Sequence, residues 1–181
     1  DGMICSEREL GLGPDHAGIM VLSGVEPGQN ANELLGIGDQ VLDIAITPDR
    51  GYALSVRGIA REVATAFGVD LRDPASHFVP ELGAPAAGMT PRDCVIDDFS
   101  ACELLTLRTV NGFNPDSSTP HYMVARLQAS GIRSISLAVD VTNYVMLELG
   151  QPTHAFDLDK LQGPVRVRRA ESGEKLETLD H

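Results

Sequence analysis

Apolar and polar positions along the chain fall into a few patterned segments separated by glycine and proline. Residues 1 to about 35 are turn-rich, with Leu10-Gly11-Leu12-Gly13 early and Pro27-Gly28 later. Between 41 and 47 the apolar residues Val41, Leu42, Ile44 and Ile46 predict a strand with Leu42, Ile44 and Ile46 on one face. Thr47-Pro48-Asp49-Arg50-Gly51 reads as a turn. Val56, Ile59, Ala60, Val63, Ala64 and Phe67 then form one stripe at helical spacing, capped by Ser55 or a neighbour and ended by Gly68. Pro74, Pro80, Pro85 and Pro91 mark residues 70–93 as a linker or long loop. Residues 94–96 and 104–110 are strand candidates. Ser118-Thr119-Pro120 opens a second helix through Met123, Val124 and Leu127 that closes at Gly131, and the proline suits a first helical turn. A third, mostly apolar run follows Arg133 and stops at Gly150. Pro164-Val165-Arg166-Val167-Arg168-Arg169 alternates like a strand, and Ser172-Gly173 turns it. Strands and helices alternate irregularly, which predicts an α+β domain rather than a doubly wound sheet. There is no internal repeat and no heptad pattern.

Composition narrows the classes. The 181 residues fit one domain, or one and part of another. A 43% hydrophobic fraction allows a core, yet no stretch approaches the roughly 18 apolar residues of a membrane span. No signal peptide is visible, and an opening Asp1-Gly2 without a Met reads as a piece cut from a longer chain. Three scattered cysteines, Cys5, Cys94 and Cys102, fit a reducing, cytoplasmic setting and form no metal knuckle, so no metal is expected in this segment. With 14 basic and 26 acidic residues the formal charge is −12, and affinity for RNA by bulk attraction to phosphate is excluded. A pI near 4.7 alone suggests a protein-binding or small-molecule domain. The one basic cluster, Arg166, Arg168 and Arg169, reads as a solvated strand face.

The densest chemistry lies in residues 131–161. Arg133 and His154 sit on irregular backbone at either side of one buried helix bounded by Gly131 and Gly150, where site residues are commonly presented. By themselves both are ordinary. A lone histidine is usually a packed core residue, and Arg133 has Asp140 and Asp157 as salt-bridge partners. Asp140, Thr142 and Asn143 read as capping or core-polar residues, and Glu148 as structural. A Ser134, His154, Asp157 triad can be drawn on paper, but no nucleophile-elbow sequence supports it.

Three segments in order carry a family resemblance. Gly131-Ile132-Arg133-Ser134-Ile135 through His154-Ala155-Phe156-Asp157 closely resembles the editing domain of the bacterial phenylalanyl-tRNA synthetase beta subunit. Gly2-Met3-Ile4-Cys5-Ser6-Glu7-Arg8-Glu9-Leu10-Gly11-Leu12-Gly13 is similar to the end of that subunit's tRNA-binding, oligonucleotide-fold domain. Ile46-Thr47-Pro48-Asp49-Arg50 with Leu54-Ser55-Val56-Arg57-Gly58-Ile59-Ala60-Arg61-Glu62 resembles the family's strand-turn-helix that opens the next domain. The sequence departs from the family at Asp49, usually Asn, at Gly51-Tyr52-Ala53, usually Pro-Asp-Cys, and at Glu103-Leu104-Leu105, usually Pro-Arg-Tyr.

The resemblance implies an α+β fold with a mixed or antiparallel sheet and packed helices, preceded by a short β-rich tail of the oligonucleotide fold. It divides the chain into a tRNA-binding end over 1–37 and the first part of an editing domain over 38–181, which His181 ends partway. The implied function is hydrolysis of mischarged Tyr-tRNA(Phe) by the editing domain, within an enzyme that attaches phenylalanine to tRNA(Phe). Arg133 and His154 map onto the editing pocket in positioning roles. Arg133 supplies charge near the oxyanion or holds the terminal nucleotide, while His154 hydrogen-bonds substrate or orients water. A glutamate that binds the tyrosine hydroxyl lies downstream of residue 181. The implied partners are tRNA(Phe) and an alpha subunit in a tetramer of two alpha and two beta chains. No cofactor is expected in this segment, ATP and Mg²⁺ serving the whole enzyme, and the isolated piece is expected to be inactive. The rival readings are a non-catalytic structural or interaction module and an amino-acid-binding domain without catalysis.

Overall fold

The computed structural model describes residues 3–13, 15–22, 24–77 and 92–177. The chain forms two compact units, Asp1–Gln40 and Val41–His181. In the first, turns dominate. The Met20 amide donates to the Cys5 carbonyl at 2.9 Å and the Arg8 amide to that of Asp15 at 3.0 Å. Glu9 accepts from the Ser6 amide at 2.8 Å and the Ser6 hydroxyl at 2.9 Å, and these two bonds hold its carboxyl below the usual range. Helix α1, Ala31–Leu35, starts at Asn30, whose side chain accepts from the Asn32 amide, and ends at Gly36 with φ 64°. No β-ladder forms among the described residues of this unit, so the expected β-rich tail is here a set of turns and one short helix.

The second unit is built on three helices. α2, Val56–Phe67, begins where Ser55 accepts from the Gly58 amide at 3.1 Å and ends at Gly68 with φ 63°, as its stripe and punctuation predict. α3 spans His121–Ala129 and α4 spans Leu137–Leu149. α4 packs on both α2 and α3. Leu127 and Met123 on α3 are buried, one helical turn apart on the same face. The turn over 47–51 is a short 3₁₀ segment, Pro48–Ala53, that lays Ala53 into the core beside α2. Gly58 permits this approach, because a Cβ there would stand 1.9 Å from the Tyr52 carbonyl oxygen. Outside that contact Arg50 pairs with Glu62 at 2.6 Å, and the Tyr52 hydroxyl donates to the same carboxylate. The sequence departure at Gly51-Tyr52-Ala53 is thus accommodated by a closed, hydrogen-bonded turn.

Several expectations change. Strands β1, Cys94–Ile96, and β2, Val165–Val167, pair in parallel with Val95 opposite Arg166, so the described sheet is a parallel pair and not the mixed or antiparallel sheet expected. Residues 41–47 and 104–110 form no ladder among the described residues, and Leu42 and Leu104 are 78% and 77% exposed. An apolar alternation makes a strand only when a neighbouring edge takes its hydrogen bonds, and none does so here. α4 is half-buried rather than buried, with Asp140 its one fully buried residue. Of the expected linker, 78–91 lie outside the described residues, as does His181, and Pro74–His77 is a short 3₁₀ turn fastened through Asp73 to Arg57 at 2.5 Å.

Asp140 tolerates its burial because both carboxylate oxygens accept hydrogen bonds. Its Oδ2 accepts from the Ser134 hydroxyl at 2.6 Å and from the Thr119 hydroxyl, and its Oδ1 from the Ile135 amide at 2.9 Å. Burial pushes this carboxyl up, but the bonds from Ser134, Thr119 and the amides of Ile135 and Ser136 outweigh it, so the group stays ionised below the usual carboxylate range.

Two outcomes follow from these contacts. Gly58→Ala forces Tyr52 and Ala53 off the helix, and a loss of about 3 kcal/mol, comparable to severe overpacking, is expected in a denaturant midpoint. Asp140→Asn replaces an acceptor by an amide facing donors and should cost about 2–3 kcal/mol at pH 7. Because the folded group titrates below its ordinary 3.8, its contribution is complete above that pH and fades as pH falls through the lowered value. The gap between wild type and Asp140→Asn should therefore narrow in acid, and a pH-independent gap would assign the cost to shape alone.

Candidate functional site

The residues singled out by sequence lie on the two segments that flank α4. Helix α3 ends at Ser130 and Gly131, with φ 76° at the glycine, and the chain then passes through Arg133, Ser134 and Ile135 to the start of α4. The Ser134 and Ile135 bonds to Asp140 fasten this loop on the α4 side of Arg133, and the Ile132 amide, donating to the Leu127 carbonyl at 2.9 Å, fastens it on the α3 side. Arg133 is next to the fastened residues, exposed, and makes no hydrogen bond or ion pair among the described residues. The salt bridge expected from Asp140 or Asp157 does not form. Asp140 is engaged by Thr119, Ser134 and Ile135, and Asp157 caps the Asp159 amide and pairs with Lys160 at 3.3 Å.

At the other end of α4, Gly150 adopts φ 76° and sits against Ser55, where a Cβ would lie 3.2 Å from the serine side chain. The chain then reverses. The Thr153 hydroxyl donates, at a long 3.4 Å, to the carbonyl of Thr142, six residues into the helix. At about 1.5 Å per residue this carries the segment some 10 Å back towards the α4 N-terminus. The segment that carries His154 is therefore folded back beside α4 rather than running on beyond its end. His154 is exposed, its ring tilts over Phe156 with centres 4.4 Å apart, and it makes no hydrogen bond among the described residues.

The paper triad is not assembled, since Ser134 spends its hydroxyl on Asp140 and Asp157 is engaged with Asp159 and Lys160. Asp140 and Thr142 are structural, as their positions predicted. Among the described residues no three His, Cys, Asp or Glu side chains are grouped to hold a metal ion, and no helix is long and apolar enough to cross a membrane. Two surface hollows, about 620 Å³ by Arg8 and His16 and about 400 Å³ by Arg61 and Asp70, include neither Arg133 nor His154, both of which are exposed.

The basic cluster is spent internally. Arg166 meets Asp97 at 3.3 Å, Arg168 holds Glu174 through a two-pronged contact with one arm at 2.8 Å, and Arg169 pairs with Asp98. The Arg168 bond, with the Glu171 amide, lowers Glu174 to about 2. Arg166 and Arg169 tie β2 to the residues following β1. The alternation over 164–169 predicts these arginines on one strand, but β2 ends at Val167 and only Arg166 lies on it, and no pattern in the sequence signals the acids across from them.

Residues 101–181 match the B3/4 domain family. The chain is 58% identical to a phenylalanine–tRNA ligase beta subunit of Thermobifida fusca, 56% to one of Streptomyces avermitilis and 53% to one of Nocardia farcinica. These alignments cover 99–100% of the chain but 21% of each relative, so the chain spans about a fifth of their length. Along that fifth, carrying a B3/4 match over its second half, the chain is a homologue of the bacterial phenylalanine–tRNA ligase beta subunits.

Proposed function

We propose that this chain is a section of a phenylalanine–tRNA ligase beta subunit and that Arg133 and His154 serve its hydrolysis of Tyr-tRNA(Phe). The supporting observation is local. Ser134, Thr153 and Asp157 are each committed to a structural bond, while Arg133 and His154 stand exposed with no hydrogen-bond partner among the described residues. An exposed cation on a pinned loop and an imidazole on a segment folded back beside the same helix suit the handling of a substrate that arrives from outside.

The reaction needs little from the protein. Water adds to the ester carbonyl, the bond from that carbon to the ribose oxygen breaks, and the proton lost by water ends on the ribose oxygen. An aminoacyl ester is already activated, so placing the water and stabilising the oxyanion suffice. Arg133 supplies charge to the oxyanion or to the terminal phosphate, and His154 orients the water or substrate. The need arises because an apolar phenylalanine pocket rejects an analogue that merely adds a hydroxyl by only about 10²-fold. Discrimination at the second site comes from hydrogen-bonding the phenol, a role this reading leaves to a residue beyond 181. Amino-acid attachment with ATP and Mg²⁺ belongs on this reading to the partner alpha subunit, in a two-alpha, two-beta assembly acting on tRNA(Phe).

In the full synthetase, Arg133→Ala and His154→Ala should each slow Tyr-tRNA(Phe) hydrolysis on the order of 10²-fold and leave Phe-tRNA(Phe) synthesis nearly unchanged. Equal loss of both activities would mean that the residues hold the fold, as the non-catalytic module requires. Replacing Arg166 and Arg168 together by Ala should leave tRNA affinity and its salt slope where they were, because both guanidiniums are taken by carboxylates. A slope lowered by about one unit per arginine would show that they meet phosphate.

A further inference from the structure

Helices α3 and α4 share a side-chain cluster that none of the chemistry above uses. Tyr122 and Tyr144 meet edge to face, with ring centres 6.1 Å apart at 89°. The Arg126 guanidinium lies 6.0 Å from the Tyr122 ring centre and 5.8 Å from that of Tyr144, and donates to the Tyr144 hydroxyl. Tyr122 is 56% exposed, and Arg126 is exposed as well. Among the described residues Arg126 meets no carboxylate, unlike Arg50, Arg57, Arg166, Arg168 and Arg169.

Charge sets this part of the molecule apart. Residues 117–147 contain Arg126 and Arg133 as their only lysine or arginine side chains and Asp140 as their only acid. Asp140 is fully buried, so the outward charge of residues 117–147 is positive in a chain whose net charge is −12, and Glu148 at the far end of α4 is the one further acid on the two helices. An exposed ring edged by a guanidinium that no acid neutralises is what accepts an unpaired base with its phosphate. Bases stack on aromatic and arginine planes whatever their identity, and the cation meets the backbone.

We propose that Tyr122, Arg126 and Tyr144 form a stacking platform for an unpaired base of single-stranded RNA, with Arg126 and Arg133 facing its phosphates. That the strand is the 3′ end of tRNA(Phe) rests on the hydrolytic reading above. α3 feeds directly into the loop of Arg133, so a strand stacked on Tyr122 is led along the hairpin towards Arg133.

The test uses the intact synthetase and tRNA(Phe) with or without its single-stranded 3′ end. Tyr122→Leu keeps an apolar body and removes the ring, and should weaken binding of intact tRNA about 10-fold. Tyr122→Phe should bind like wild type, and neither change should alter affinity for tRNA lacking the 3′ end. Arg126→Gln should lower the salt slope for intact tRNA by about one unit. Loss on both tRNAs alike, wild-type binding by Tyr122→Leu, or dissociation of the subunits in its place overturns the platform. If Tyr122→Leu melts early, wild-type enzyme decides the matter. A photoreactive base at the 3′ end should cross-link within residues 122–144, and its failure to do so is equally decisive. The two readings part cleanly. Absent Tyr-tRNA(Phe) hydrolysis with a Tyr122-dependent grip on the 3′ end sinks the hydrolytic role alone. Normal hydrolysis with an unchanged KM in Tyr122→Leu sinks the platform alone.

Discussion

One buried carboxylate organises the second unit. Asp140 collects donors from three points of the chain: Thr119 ahead of α3, and Ser134 and Ile135 in the loop that follows it. A charge removed from water is tolerated only when its lone pairs are filled, and a half-filled set would be worse than an apolar side chain. Here the filling groups are the start of one helix and the entrance to the next. Holding the carboxylate therefore ties the start of α3 to the entrance of α4, and with it the backbone that follows Arg133. The site loop needs little apolar packing of its own, which agrees with a core whose buried apolar side chains are few among the described residues.

Ion pairing then decides which cations remain available. The arginines of the β2 region bind carboxylates on the segment after β1 or on their own turn, and each such pair lies near the surface where its contribution to stability is small. Their effect is on the field instead. They cancel charge locally, and the strongly acidic composition does the rest. Arg133 is left without an ion-pair partner because Asp140, the acid nearest to it in sequence, has been drawn inside. Burial of one residue and exposure of another are thus parts of the same electrostatic arrangement.

Local signals in the sequence hold for most elements whose deciding partner lies within a few residues, although Pro120 stands at the extended N-cap of α3 rather than in its first turn. The stripe from Val56 to Phe67 with Ser55 before it and Gly68 after it specifies α2 completely, and Gly131 and Gly150 adopt the left-handed conformation their positions ask for. Failures are non-local. The alternation over 41–47 says nothing about which edge would pair with it, and the direction of β1 against β2 depends on the path of the intervening chain. At the site, the motifs marked Arg133 and His154, but not that Ser134 would turn to Asp140 instead of His154, nor that Thr153 would reach back to Thr142. Gly58 was passed over because its meaning lies in the approach of Tyr52, which no pattern within the helix reveals.

Gly150 carries two duties at once: it terminates α4 and it rests against Ser55 at the head of α2. Asp140 fixes the other end of the same helix. The 13 residues of α4 are therefore clamped at both ends, which makes the helix a ruler. Adding or removing one residue would move its end by about 1.5 Å and rotate it by about 100°. That rotation would swing the segment of His154 to another face of the helix while Arg133 stayed in place. A change of residue within α4 can be absorbed by its half-exposed surface, but a change in its length cannot, so the relation proposed between Arg133 and His154 depends on that count.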